Sequence, residues 1–158
     1  MSQSIPEPEF DQLYREIILD HYRSPRHHEP LADPAVVAEG YNPLCGDELE
    51  LRLRFENGTV SDVSLTGRGC SISQASGSLL TDAILGKSTE EVRHLTELFT
   101  ALVTDPEMEP PEEVGDLEAL QGVAKFPVRV KCATLAWHTL QDALEQRETG
   151  GGTVRHEE

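Results

Sequence analysis

Residues 48–55 alternate without a break. Leu49, Leu51, Leu53 and Phe55 fall on one side, and Glu48, Glu50, Arg52 and Arg54 on the other. Successive side chains of a strand point to opposite faces, so this pattern predicts a strand with one buried face. Asn57-Gly58 follows it. That pair suits a two-residue hairpin turn, which needs positive φ at both positions. Residues 59–66 then return as the partner strand, with Val63 and Leu65 facing in. Upstream, Ala35-Val36-Val37-Ala38 marks a first strand over residues 34–40. The pattern predicts a small antiparallel sheet of about three strands.

Elsewhere the apolar residues recur at helical spacing. Over residues 10–23, Phe10, Leu13, Tyr14, Ile17, Ile18 and Tyr22 share a face, and Ser24-Pro25 ends the helix. His21 reads as a surface or edge residue of that helix, and His27-His28 as part of a solvated loop. A second helix spans residues 71–85, capped by Ser71 or Ser73 and stopped by Gly86. Ser88 and Glu91 open a third, through Val103. The prolines and acids of residues 105–115 read as a loop or the margin of a lid, and residues 116–123 as a short helix. Phe126-Pro127 introduces a last helix over residues 130–147, with Trp137 packed against the sheet. Residues 148–158, with their glycine run and charged end, read as a disordered tail after a single domain of residues 1–147. The expected class is α+β: a three-stranded antiparallel sheet with about five to six helices packed against it.

Charge narrows the function. With 29 acidic against 13 basic residues the chain carries a net charge of -16. A nucleic acid or an anionic membrane surface rewards clustered Lys and Arg, so neither is an expected partner. The plain consequence of the charge is solubility; the sharper one is steering toward a basic partner. No apolar run approaches the roughly 18 residues of a membrane span. The first ten residues are acidic and lack the apolar stretch of a secretory signal. A cytoplasmic location is expected, where cysteines stay reduced and tend to be ligands or nucleophiles.

The chain has three cysteines, and each sits at a turn or at a predicted helix start. Cys45 and Asp47 flank Gly46 in Asn42-Pro43-Leu44-Cys45-Gly46-Asp47. A glycine there lets the chain turn tightly and aim both side chains at one point. A thiolate and a carboxylate that converge repel each other unless a cation lies between them, and zinc accepts both. The hairpin brings Cys70, in Gly67-Arg68-Gly69-Cys70, back beside Cys45 and Asp47. Cys132 then falls in the first turn of the last helix, and would complete a four-ligand set. The dipole at a helix N-terminus is expected to lower the thiol pKa of Cys70. A free cysteine is by itself often just a small buried residue, but such cysteines usually lie mid-element among apolar neighbours. The absence of a Cys-x-x-Cys pair disfavours a conventional zinc finger and a thioredoxin-like redox site. Six histidines make a Cys–His nucleophile conceivable, yet none lies in a comparable turn.

Asn42-Pro43-x-Cys45-Gly46-Asp47, Gly67-x-Gly69-Cys70-x-Ile72-Ser73 and Arg129-Val130-Lys131-Cys132 resemble the three cysteine motifs of the NifU/IscU-like iron–sulfur cluster assembly scaffold family. His21-Tyr22-x-x-Pro25-Arg26 in the opening helix is similar as well, so the likeness runs from about Leu13 to Leu144. Lys131 stands where the IscU branch has a histidine, and 61 residues separate Cys70 from Cys132. Both features resemble the SufU-type branch. The stretch by which the IscU branch is read by its chaperone is not reproduced in residues 126–131.

The resemblance implies that Cys45, Asp47, Cys70 and Cys132 bind one Zn2+. It implies a sulfurtransferase that works only with a pyridoxal-phosphate-dependent, SufS-like cysteine desulfurase, taking persulfide sulfur through Cys45 and passing it on within the SUF system. Cys45 is the expected mobile ligand, since it lies in a loop. Arg129 is expected to contact the partner or to stabilise the exposed thiolate. The alternative is a scaffold that holds a transient iron–sulfur cluster on the same four residues. A third reading, a purely structural zinc module, predicts that Cys45→Ala harms folding as much as Cys70→Ala. No extended apolar stripe demands a dimer, so a monomer is expected.

Overall fold

The computed structural model describes residues 12–158. The long alternating segment forms β2 (Asp47–Glu56), between β1 (Val36–Asn42) and β3 (Thr59–Arg68). Both neighbours run antiparallel to β2. Asn57 and Gly58 take φ of 55° and 75°, as the hairpin requires. A bulge between Arg54 and Phe55 shifts the register of β3. It changes which residues of β3 face inward, so Val60 is buried along with Val63 and Leu65.

The sheet has a fourth strand that the alternation did not reveal. The end of the chain, expected as a disordered tail, forms β4 (Gly152–Glu157), which pairs parallel to β1. The sheet is therefore mixed and four-stranded, in the order β3-β2-β1-β4. The physical reason is a turn at Gly150 and Gly151, both at positive φ, which sends the chain back along the open edge of β1. Thr153, Val154 and Arg155 lie in register with Val37, Ala38 and Glu39.

Four α-helices, α1 (Gln12–Arg23), α2 (Ser71–Ile84), α3 (Thr89–Thr104) and α4 (Pro127–Glu148), and a 3₁₀ segment, Glu112–Lys125, complete the described fold. Helix α1 turns Tyr14, Ile17, Ile18 and His21 inward, whereas Leu13 and Tyr22, expected on that face, are exposed. Phe10 lies outside the described residues. His21 is buried, not at an edge, because Ser78 Oγ of α2 meets its Nδ1 at 2.7 Å. Helix α3 opens with the expected Ser88–Glu91 capping box. The proline- and acid-rich region keeps the expected loop over residues 105–111, and the 3₁₀ segment that follows packs inward, burying Val114, Leu117, Leu120 and Val123 in the core.

Helix α4 starts earlier than the pattern suggested, because Pro127 is accommodated in its first turn, where no N–H is needed. Its buried residues include Leu135, Trp137, Leu140 and Leu144. Trp137 stacks on Phe99 of α3, with ring centroids 4.8 Å apart.

Candidate metal centre

The β1–β2 turn, the start of α2 and the second turn of α4 meet at one point. Gly46 takes φ of 72° and its N–H donates to the Asn42 carbonyl, closing the turn between Cys45 and Asp47. Cys45 is half-buried at this turn, and Asp47, the first residue of β2, is fully buried. Cys70 is the cap of α2. Its own Sγ accepts the Ser73 N–H, where Ser71 or Ser73 was expected to cap. Cys132 lies five residues into α4, not in its first turn, and is 1% exposed.

The thiols of Cys45 and Cys132 lie 3.2 Å apart, and Cys70 is within hydrogen-bond reach of Cys132. One donor atom from each of Cys45, Asp47 and Cys132 lies within 4.8 Å of the others. Backbone and side chains aim the Asp47 carboxylate: Oδ1 accepts the Cys70 N–H at 3.0 Å and Oδ2 the Asn42 amide at 3.3 Å. This approach depends on Gly69. A Cβ there would stand 2.4 Å from Asp47 Oδ1. Asn42 is the residue that sequence reasoning passed over. It is fully buried, and its Oδ1 also accepts the Leu44 N–H, so it shapes the turn as well as the carboxylate. Its place just before Pro43-Leu44-Cys45 was the available signal.

Arg129 is 4% exposed, with Nη1 3.7 Å from Cys132 Sγ. It faces a buried thiol and has little surface to offer a partner. Lys131, at the position that distinguishes the branches, is exposed. His27 and His28 are also exposed, and they pair with Asp82 and the Pro25 carbonyl.

Burial pushes the Cys45 thiol above its ordinary pKa against the opposing hydrogen bond from Cys132. Cys70 is pushed up further, first by its hydrogen bond with Cys132 and then by burial. The lowering expected from the helix N-terminus is outweighed: the Ser73 N–H does favour the thiolate, but less than the other effects oppose it. Cys45, Asp47 and Cys132 offer two soft sulfurs and a carboxylate oxygen, a donor set that suits zinc, and Cys70, outside that group but within hydrogen-bond reach of Cys132, could supply a third sulfur. A cation at that point turns mutual repulsion among anions into attraction.

Residues 13–133 match the model of the NifU-like N-terminal domain. The chain belongs to that family. A zinc-dependent sulfurtransferase, SufU, of Bacillus subtilis is 42% identical over 140 residues, covering 89% of this chain and 95% of the relative. An iron–sulfur cluster assembly scaffold protein, IscU, of Streptococcus pyogenes is 41% identical over 136 residues, covering 86% and 85%. Among solved structures, an iron–sulfur cluster assembly scaffold protein for the SUF system from Fervidobacterium islandicum superposes with a TM-score of 0.76 at 33% identity, covering 82% of this chain and 94% of that one. The NifU-like family and α+β fold expected from the motifs are those found, with the sheet corrected as above.

Proposed function

We propose that this family member is a zinc-dependent sulfur acceptor in iron–sulfur cluster assembly. One observation carries the reading: of three converging thiols, Cys45 alone sits in an inter-strand turn, while Cys70 caps α2 and Cys132 is buried in α4. The similarity to the Bacillus subtilis sulfurtransferase supports it. Cys45, Asp47, Cys70 and Cys132 hold the zinc. When bound, the ion keeps the thiols deprotonated and permits ligand exchange without redox change.

The donor is the cysteine persulfide of a pyridoxal-phosphate-dependent cysteine desulfurase. The Cys45 thiolate attacks the outer sulfur of that persulfide, and the S–S bond of the donor breaks. The desulfurase cysteine leaves as a thiolate, and Cys45 becomes a persulfide with no net oxidation. Asp47, fixed by Asn42 and the Cys70 N–H, stays in place as Cys45 moves. The Arg129 guanidinium offsets negative charge at Cys132 during the exchange. The reaction belongs in the cytoplasm, and the protein acts as a monomer that hands the sulfur to a downstream SUF scaffold.

The test is to locate the transferred sulfur. After incubation with a cysteine desulfurase and cysteine, mass spectrometry is expected to find a persulfide on the peptide carrying Cys45. A persulfide confined to Cys70 or Cys132 would overturn the assignment.

The second reading is a scaffold for a nascent cluster, favoured by the 41% identity to the Streptococcus pyogenes scaffold protein. Anaerobic purification separates the two. Tightly held zinc that resists displacement by iron supports sulfur transfer, and a stable, transferable cluster supports the scaffold.

A further inference from the structure

Away from the thiols, a second group of ligand-type side chains converges where α4 passes β4. Thr134, His138 and Asp142 recur every fourth residue of α4, so they stack along one helix face. His156 of β4 and Glu158 just beyond it are two residues apart, so they point to the same side. The two rows meet. His138 Nδ1 lies 2.5 Å from Glu158 Oε1, and His156 Nε2 lies 3.7 Å from Glu158 Oε2. Thr134 Oγ1 donates to Glu158 Oε1 at 3.4 Å. The imidazole rings are 5.6 Å apart, edge to face. One donor atom from each of His138, His156 and Glu158 lies within 4.8 Å of the others. All of these residues lie beyond the 13–133 span that matches the family.

Two details distinguish this cluster from an ordinary ion-paired surface. Asp142 Oδ2 sits 2.9 Å from His156 Nδ1. A carboxylate there accepts a hydrogen bond from an Nδ1–H, the tautomer that leaves the lone pair on Nε2, toward Glu158. This is the outer-shell arrangement that orients metal-binding histidines. The second detail is that His156 Nε2 is shut off from solvent and makes no hydrogen bond. A buried nitrogen of this kind lacks the partner that such groups normally find, and an ion would supply it.

We propose that His138, His156 and Glu158 form a second cation site, for a borderline divalent transition ion such as Zn2+, with Asp142 as the positioning residue for His156. Two imidazoles and one carboxylate suit such ions, whereas magnesium and calcium favour all-oxygen shells. The entering ion takes the place of the hydrogen bond between His138 Nδ1 and Glu158 Oε1. Three protein ligands leave a coordination position open to water or a small anion. Because the ligands come from α4 and from the end of the chain, occupancy also clamps β4 to the sheet. The site uses none of the cysteines and stands independently of the sulfur-acceptor reading.

The full chain is dialysed against Zn2+, and bound metal is counted by mass spectrometry. Two zinc ions per chain are expected for the wild type, and one for His156→Gln and for Glu158→Gln. Cobalt separates the sites. The thiol site gives an intense sulfur-to-metal charge-transfer band, which the variants keep and which reports that they are folded. The weaker ligand-field bands of a nitrogen and oxygen site disappear in both. Zinc is also expected to slow amide exchange in residues 152–157 of the wild type, and of neither variant. A zinc count that both substitutions leave at the wild-type value would overturn the proposal and leave a hydrogen-bonded latch only.

Discussion

Cys45 and Cys132 stand 87 residues apart in the chain, yet their sulfurs lie 3.2 Å from each other. The β1–β2 turn brings one and the second turn of α4 the other. They differ in what a change would cost. Cys132 is sealed in the core on the inner face of α4, while Cys45 is half-buried in a turn.

Removal of zinc is expected to lower the melting temperature. An ion that binds only the folded chain adds about 4 kcal/mol at a free concentration a thousandfold above its Kd, and for a chain of this size that is roughly 8–16 °C. Calorimetry before and after chelation measures it. Identical melting with and without metal would mean that the thiols bind no ion tightly.

Asn42→Ala is expected to weaken the metal without touching a ligand. It removes the amide that holds Asp47 Oδ2 and leaves that buried carboxylate one hydrogen bond short. The expected loss is about 10–100-fold in zinc affinity, with about 1–3 kcal/mol of stability. Competition with a colorimetric zinc chelator gives the first figure and denaturant unfolding the second. Unchanged affinity would show that Asn42 only shapes the turn.

Phe99→Ala should do the reverse. It empties the face on which Trp137 stacks, far from the thiols in sequence, at a cost of about 3–5 kcal/mol. Zinc affinity of the folded fraction is expected to be unchanged. A parallel fall in affinity would tie the α3–α4 contact to the metal centre.

The contribution of His21 to stability is expected to fall with acid through the ordinary histidine range. Burial first, and then the charge of Arg26, holds the pKa of His21 below its usual value. The unfolded chain thus takes up a proton at a pH where the folded chain does not. The contribution of this histidine is complete above its unfolded pKa and is lost as pH falls toward the folded one. Urea unfolding of wild type and His21→Gln from pH 8 to pH 5 compares the slopes. The variant's stability should depend less on pH over this interval, and equal slopes would show that His21 titrates alike in both states.

The sheet's middle strand was legible because Leu49, Leu51 and Leu53 alternate with charges, and the hairpin because Asn57-Gly58 admits few other conformations. Those two features alone imply that Cys45, Asp47 and Cys70 are neighbours. The strand β4 was hidden: Thr153 to Glu157 has one aliphatic residue, and it owes its order to pairing with the edge of β1 and to Glu158. Propensity and pattern do not record such a tertiary contact. The burial of His21 is hidden for a related reason. A polar residue on an apolar helix face looks peripheral until its partner, here Ser78, is known to sit opposite. The start of α4 is hidden in the sequence because Pro127 reads as a boundary, whereas it serves as a first-turn residue.

The sulfur-acceptor account rests on Cys45. The measurement that tests it most directly is the turnover of a cysteine desulfurase alone, with the zinc-loaded wild type, and with zinc-loaded Cys45→Ala. Strong stimulation by the wild type and none by a folded variant is the predicted result. A folded, zinc-loaded wild type that leaves turnover unchanged, or a variant that stimulates equally, would contradict it.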